Sequence, residues 1–356
     1  MGFSDEIMSW YAQNQRQLPW RGSNDAYRIW LSEIILQQTR VAQGLPYYQK
    51  FVDKYPDIVA FANAPEDEIL KLWQGLGYYS RARNMHAAAK TVASEYGGKF
   101  PPSYAEILKL KGVGKYTAAA IASIAFNEPV AVVDGNVYRV LARYFGIDEP
   151  IDGAKGQKLF FELANQLIDT NYPAIYNQAV MEFGALYCKP QNPDCGNCIF
   201  ATTCKAFKDK TVSQLPVKAK KTAVKTRYFN YLFIDKEGST YLQKRTNKDI
   251  WLNLFEFPLI ETQAALADKN VLLEHSDFEK IINGQAVKFI RKSYHTVHKL
   301  SHRDIDAVFW HIGVEPLFLI NNSLIFEVGL GTLHQYGVSK LTERFISEYI
   351  EKETSK

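Results

Sequence analysis

Apolar residues recur every three or four positions through Tyr27 to Gln38, Tyr104 to Leu110, Thr117 to Phe126, Val137 to Phe145 and Gln157 to Asp169. That spacing puts an apolar stripe along one side of an α-helix. Residues 1 to 204 therefore read as a nearly all-helical domain. The pattern then changes. Tyr228 to Ile234 is a run of aromatic and branched residues that leads into an Asp235-Lys236-Glu237-Gly238 turn and on to Thr240-Tyr241-Leu242, which reads as strand, turn and strand. A further aromatic strand is expected at Asp306 to Ile312, and a helix near Lys340 to Ile350. Residues 228 to 350 thus read as a small α+β domain. No internal repeat or low-complexity tract is evident.

Residues 205 to 227 separate the two patterns. They hold Lys205, Lys208, Lys210, Lys218, Lys220, Lys221, Lys225 and Arg227 against the single acid Asp209. Such a stretch is either a solvated linker or one that lies on phosphates. The net charge of +4 over 356 residues decides nothing further, and 47% hydrophobic with 22% charged residues is the balance of a soluble protein with room for two domains. No apolar run reaches the roughly eighteen residues a membrane span needs. Asp5 and Glu6 precede amphipathic sequence, unlike a signal or transit peptide, so a cytoplasmic protein with no membrane partner is expected.

The chain's four cysteines, Cys188, Cys195, Cys198 and Cys204, share one Pro/Asn/Gly-rich loop with the spacing C-x6-C-x2-C-x5-C. Concentrating all thiols there points to a thiolate metal site. Disulfides fit poorly with a reducing cytosol. Zinc sites commonly use two C-x2-C knuckles, and only Cys195 and Cys198 form one. An iron–sulfur cubane asks only for four convergent thiolates, so spacing favours it while leaving zinc open.

Three further features carry chemistry. In Leu110-Lys111-Gly112-Val113-Gly114-Lys115-Tyr116-Thr117-Ala118, Gly112 and Gly114 allow a sharp turn and close approach, and the next helix opens with free N–H groups. This is an anion cradle or a plain helix-to-helix turn. Glu33 lies four residues from Ile29 and three from Trp30, so it projects beside an apolar stripe, where desolvation would raise its pKa and let it hold a proton near neutrality. A Glu satisfied by an Arg or by backbone amides is the alternative. Asp134 follows the apolar run Val130 to Val133 and precedes a helix beginning near Asn136; it suits an N-cap, whose helix would favour its ionised form.

Four segments carry a family resemblance: Leu31-Ser32-Glu33-Ile34-Ile35-Leu36-Gln37-Gln38-Thr39, Gly75-Leu76-Gly77-Tyr78-Tyr79-Ser80-Arg81-Ala82-Arg83-Asn84, the Gly112 to Ala118 hairpin, and Val133-Asp134-Gly135-Asn136-Val137. Together they resemble the helix-hairpin-helix DNA glycosylases, and more closely the adenine DNA glycosylases of the MutY family, which excise adenine mispaired with 8-oxoguanine. The match spans most of residues 10 to 204. Over the second half it rests on Trp251 to Pro258 and Leu300-Ser301-His302.

The resemblance implies a 4Fe-4S cluster on Cys188, Cys195, Cys198 and Cys204, and double-stranded DNA carrying adenine opposite 8-oxoguanine or guanine as partner. It implies that Glu33 protonates N7 of adenine and then activates water, while Asp134 supplies the anion beside the oxocarbenium-like sugar. Relatives resembling endonuclease III carry a lysine where Tyr116 stands, and that amine permits strand cleavage through a Schiff base. A monofunctional enzyme is therefore expected here, with Tyr116 in the base pocket positioning the Asp134 region and Lys115 meeting phosphate. Gln38, Thr39 and Tyr78 correspond to residues that wedge into the duplex, and Arg21 and Gln178 to residues lining the adenine pocket. Many relatives have Glu at the position of Gln178, so contact there would be through a neutral amide.

The second half resembles a MutT-like (Nudix-type) domain, without the Gly-x5-Glu-x7-Arg-Glu-x2-Glu-Glu segment of pyrophosphate hydrolysis. Reading of 8-oxoguanine is assigned by the resemblance to Leu300-Ser301-His302, in which Leu300 departs from the usual Phe; the density of His295, His298 and His302 raises a metal as the lesser reading. A monomeric, nucleoid-associated protein is expected. An endonuclease III-like glycosylase/lyase would require the lysine that Tyr116 replaces. A non-catalytic iron–sulfur DNA-binding protein would leave Glu33 and Asp134 together without a purpose.

Overall fold

Helix ends in the first half are set where the chain offers caps. In the computed structural model, which describes residues 2–219, 224–300 and 302–350, α1 runs Phe3–Asn14 and α2 Ala26–Leu36, the latter opened by Asp25, whose carboxylate accepts from the N–H groups of Tyr27 and Arg28. There follow α3 Val41–Lys54, α4 Ile58–Asn63, α5 Glu66–Leu72, α6 Ser80–Glu95, α7 Tyr104–Ile107, α8 Lys115–Phe126 and α9 Gly135–Phe145. Then come α10 Ala154–Leu167, α11 Pro173–Leu186 and α12 Lys205–Lys208. Among the described residues this half contains no strand. Asp134 caps α9, and the helix ends at Gly146 with φ +66°, a conformation that suits glycine.

At the centre of this half, α11 packs on α1, α8 and α9. Gly184 permits the approach to α9, since a Cβ there would lie 2.6 Å from the Cβ of Asn136. The core around them includes Ile7, Leu141, Phe160 and Ala179, all essentially inaccessible. Trimming a residue such as Leu141 to Ala would cost about 2–5 kcal/mol. No helix of the described residues is long and apolar enough to cross a membrane.

The second half is built on two sheets. Its strands are β1 Lys225–Asp235, β2 Ser239–Lys244, β3 Phe255–Glu256, β4 Leu259–Thr262, β5 Val287–Lys299, β6 Arg303–Val314 and β7 Ile325–Gly329, with helices α13 Lys269–Leu273, α14 Ser276–Ile282 and α15 Lys340–Phe345. One sheet has the order β4-β1-β6-β5, the other β3-β2-β7. The expected strand, turn and strand are present, but β1 and β2 belong to different sheets. β1 pairs in parallel with β6, with Tyr231 beside Phe309, and antiparallel with β4. Both faces of β1 are covered, which explains its unbroken apolar run. Leu232 and Ile234 pack with Trp310 and Phe278, while Phe309 stacks on Phe345 with ring centroids 4.1 Å apart.

The chain divides into two compact units, Met1–Asn63 with Asn84–Lys221, and Ala64–Arg83 with Thr222–Lys356. Two expectations change accordingly. Residues 64–83, read as part of the helical domain, group with the C-terminal unit because specific polar contacts tie them to it. Asp67 pairs with Lys244 at 2.6 Å, Glu66 accepts from Asn253, Gln74 donates to Glu343, and Arg83 donates to the Leu252 carbonyl. The basic stretch from 205 is also less of a linker than expected. Ala206 and Leu215 are buried in the helical core, and the Ala219 N–H donates to Asp152. Lys225 and Arg227 already belong to β1, and Arg227 is engaged by Glu261 and Asp249 rather than left open to phosphate. Lys220 and Lys221 lie outside the described residues.

Candidate active site

A cleft of about 450 Å³ in the helical unit gathers Arg21, Glu33, Thr39, Tyr116, Asp134 and Gln178. These residues come from α2, α8, α9, α11 and the loops that end them, so the cleft is made where helices begin and stop. Glu33 sits beside the buried stripe of α2 formed by Ile29, Trp30 and Ile34. Burial pushes its carboxyl up to about 7, the Tyr116 hydrogen bond partly offsets this, and the neighbouring Asp134 adds to the rise. At that value an appreciable fraction of the acid stays protonated at neutral pH.

Tyr116, the second residue of α8, donates its hydroxyl to Glu33 Oε2. Tyr116 is expected to position the Asp134 region, whereas its hydrogen bond goes to Glu33. Burial, reinforced by the Glu33 carboxylate, holds the phenol well above its ordinary range, so it remains a donor. Asp134 caps α9 as expected, accepting from the N–H groups of Asn136 at 2.8 Å and Val137 at 2.7 Å, with the Asn136 side-chain amide on its other oxygen at 2.7 Å. The cap does not prevail entirely. Burial leaves the Asp134 carboxyl above its ordinary value despite these donors, so the two carboxyls differ less than their local sequence suggests.

Glu182 was not singled out from sequence and organises one wall of the cleft. Its carboxylate accepts from Arg16 and Arg21, each at 2.6 Å to Oε2, and although burial opposes it these hydrogen bonds hold the group down at about 2. Arg21 therefore reaches the cleft as an anchored cation. Gln178 lies one turn before Glu182 on α11, with its Oε1 accepting from the Tyr11 hydroxyl at 2.8 Å. The signal for Glu182 was available: it stands at i+4 from Gln178 and is the one charged residue of α11.

Other candidates lie elsewhere. Gly112 has φ +76°, and a Cβ there would sit 2.5 Å from Asn84 Cβ, so the turn between α7 and α8 requires glycine. Gly114 precedes α8 without a side-chain cap, leaving its first N–H groups open beside exposed Lys115. Gln38 is exposed and left-handed at φ +57°. Tyr78, in the C-terminal unit, is also left-handed at φ +48° and 46% exposed. Such backbone in non-glycine residues is uncommon and marks places worth attention. Within the C-terminal unit, Tyr78, Leu300 and His302 line a second cavity of about 620 Å³ with Arg83, Lys248 and Arg303. Ser301 lies outside the described residues. His295 pairs with Asp306, and His298 packs edge-on against Trp251.

The four cysteines line one cavity, none in a disulfide. Burial and then the neighbouring thiolates push Cys195 up; burial does the same at Cys204 and carries Cys198 to about 11. Holding these three as thiolates would need a compensating positive centre. Among the described residues no group of three or more His, Cys, Asp or Glu side chains converges as the ligands of a single metal ion would. A cubane differs from a lone ion in that each thiolate binds its own iron, so the sulfurs stand farther apart than around one tetrahedral zinc. Two buried arginines on α9, unnoticed in sequence, brace the loop. Arg143 donates to Cys188 Sγ at 3.4 Å and to the carbonyls of Lys189, Pro190 and Leu215. Arg139 donates to the Cys188 carbonyl at 2.7 Å and to Asn136 Oδ1 at 2.9 Å, and Asn136 in turn bonds Asp134.

Residues 31–166 match the family of HhH-GPD superfamily base excision DNA repair proteins, and residues 230–348 match the NUDIX domain. The chain is 37% identical over 329 residues to an adenine DNA glycosylase of Buchnera aphidicola subsp. Baizongia pistaciae, covering 91% of this chain and 90% of that one. It is 44% identical over 214 residues to an adenine DNA glycosylase of Homo sapiens, covering 57% of this chain and 39% of that one. Among solved structures, a thermostable thymine-DNA glycosylase matches with a TM-score of 0.54 and 33% identity, over 58% of this chain and 95% of that one. A trapped endonuclease III–DNA covalent intermediate shares the fold at TM-score 0.51 and 23% identity, over 58% and 94%.

Proposed function

Because the chain belongs to the adenine DNA glycosylase family, we propose that its cleft excises adenine paired with 8-oxoguanine or guanine in double-stranded DNA, with Glu33 as acid and Asp134 as the anion beside the sugar. The enzyme is a DNA glycosylase of base excision repair. Its target lies inside a duplex and must be turned out of the stack before a side chain can reach it. A cleft of about 450 Å³ has room for one extruded base.

The observation that carries the reading is a protonatable Glu33 in the same cleft as Asp134. Protonating N7 converts an anionic leaving group into a neutral one, and the carboxylate left behind can deprotonate the incoming water. Positive charge then builds on the sugar, which a fixed Asp134 carboxylate opposes. Tyr116 holds Glu33 by donating to one oxygen and offers no amine for a Schiff base, which supports hydrolysis without strand cleavage. Gln38, Thr39 and Tyr78 would fill the gap in the stack, and the Gly112 to Lys115 turn would meet phosphate. Ser301 and His302 would read the base opposite, supported by the cavity that His302 shares with Tyr78 and basic side chains.

Cys188, Cys195, Cys198 and Cys204 would hold the 4Fe-4S cluster, whose contribution when bound is to cross-link the loop and compensate its thiolates. We further read the protein as a cytoplasmic, nucleoid-associated monomer. Single-turnover assays on duplexes carrying adenine opposite 8-oxoguanine, adenine opposite guanine, and an oxidised pyrimidine test the function. Release from the first two alone is expected, and preferential attack on the pyrimidine would overturn it. Purified protein is expected to contain about four irons per chain, and stoichiometric zinc in iron-replete cells would overturn the cluster assignment.

A further inference from the structure

On the cleft wall formed by α11 and the chain after α1, the hydrogen-bond acceptors are engaged from within the protein. Glu182 accepts from the Arg16 backbone N–H, from Arg16 Nε and Nη2, and from Arg21 Nη1 and Nη2. A carboxylate offers about four lone-pair sites, so it has none to spare for a base. The Gln178 carbonyl oxygen accepts from the Tyr11 hydroxyl at 2.8 Å. The Arg21 guanidinium lies 5.7 Å over the Tyr11 ring, placing positive charge on that side and favouring the oxygen end of the amide there. Tyr11 does not line the cleft and Gln178 does, so with the oxygen engaged by Tyr11 the amide N–H groups are the end of the side chain left for the cleft.

We propose that Tyr11 is a positioning residue that fixes the Gln178 amide with its N–H groups toward the bound purine, so that this wall reads a ring-nitrogen acceptor of the base rather than its exocyclic amine. The inference rests on the proposed function, in that the excised base occupies this cleft, and it names the feature of the base that is recognised there. Donors aimed at a ring nitrogen also favour the electron density that collects on the base as its bond to the sugar lengthens.

The test compares single-turnover release, opposite 8-oxoguanine, of adenine, purine lacking the 6-amino group, 1-deazaadenine and 3-deazaadenine, each rate normalised to its uncatalysed acid hydrolysis. In wild type, purine is expected within about threefold of adenine, while one of the two deaza bases falls about tenfold or more. Tyr11→Phe keeps the ring under Arg21 and frees the amide, so the deaza penalty is expected to shrink to about threefold with the pH profile unmoved. Gln178→Glu, whose outcome does not depend on the Tyr11 variant folding, replaces donors by acceptors and is expected to make adenine preferred over purine. The inference is overturned if wild type loses more rate with purine than with either deaza base, if Tyr11→Phe lowers every rate by one factor, or if Gln178→Glu leaves the ratios unchanged. Failure of wild type to release adenine at all would instead overturn the proposed function.

Discussion

Glu33 in the helical unit and Asp249 in the C-terminal unit are both carboxyls drawn out of water, yet they finish at opposite ends of the carboxylate range. Burial carries Glu33 to about 7, with only the Tyr116 hydroxyl and a weaker attraction from Arg21 opposing it. At Asp249 burial also pushes upward, but the Ile250 N–H and the guanidinium groups of Arg227 and Arg303 bring the group down to about 2. Arg245 completes that arrangement at 3.2 Å. Deep burial with few donors leaves an acid that can give up a proton at neutral pH, whereas shallower burial with a backbone N–H and guanidinium partners leaves an ionic anchor. Within the cleft, Arg16 and Arg21 are engaged by Glu182 rather than by Glu33.

The largest effect on this contrast should come from Glu33→Gln. It removes the transferable proton and little contact area, so base release is expected to fall by about a thousandfold or more while duplex affinity changes less than about threefold. Single-turnover release near the wild-type rate would end the acid assignment. In wild type, release should decline as pH rises through about 7, because the protonated fraction of Glu33 is lost there.

Asp249→Ala should strike stability instead. It strips a partner from Arg227, Arg245 and Arg303, and because the site is only partly buried the expected loss is about 1–3 kcal/mol in urea unfolding of the C-terminal unit. Adenine release opposite guanine should change by less than about twofold. The folded pKa is depressed, so this contribution is present above the ordinary carboxylate value and is lost as pH falls toward about 2. A larger loss of release than of stability would merge two roles that the comparison separates.

A smaller effect of opposite sign is expected from the stability of Glu33→Gln. A raised folded pKa means that the folded state holds a proton the unfolded state has released, so Glu33 destabilises the fold increasingly as pH rises from 4.5 to about 7. The variant should be more stable than wild type by about 1 kcal/mol or more at pH 8, with the gain vanishing near pH 4. Thermal unfolding at the two pH values measures this, and equal shifts at both would mean that Glu33 is not desolvated. Smallest of all, Tyr116→Phe removes a bond that lowers the Glu33 pKa. The alkaline limb of the release profile should move upward in pH, with a change of about a few-fold in rate near neutrality; a downward move would contradict the hydrogen bond's direction.

The candidate site was legible where one residue's neighbours in sequence are also its neighbours in space. Asp134 announces a helix, Gly112 announces the turn, and the cysteine loop names its own four members. Glu33 was recognisable because its apolar surroundings lie on its own helix. Less visible were partners contributed from afar: Glu182 to Arg16 and Arg21, Arg139 and Arg143 to the cysteine loop, and Tyr11 to Gln178. Residues 64–83 carried no local mark of belonging with the C-terminal unit, because Asp67 and Glu66 look like ordinary acids at the start of a helix until Lys244 and Asn253 arrive.

By itself, then, the sequence determined a helical half followed by an α+β half, the helix that carries Glu33, the cap that places Asp134, and the thiolate loop. These depend on periodicity, capping and short-range spacing, all of which are written within a few turns of chain. Tertiary structure alone decided which cations each carboxyl meets, and hence that Glu33 rests near neutrality while Glu182 and Asp249 stay ionised. It also decided that Tyr116 holds Glu33 and that β1 lies beside β6 rather than β2. Charge interactions fall with distance in space and are blind to separation along the chain, so proton affinity is settled only when the fold has closed.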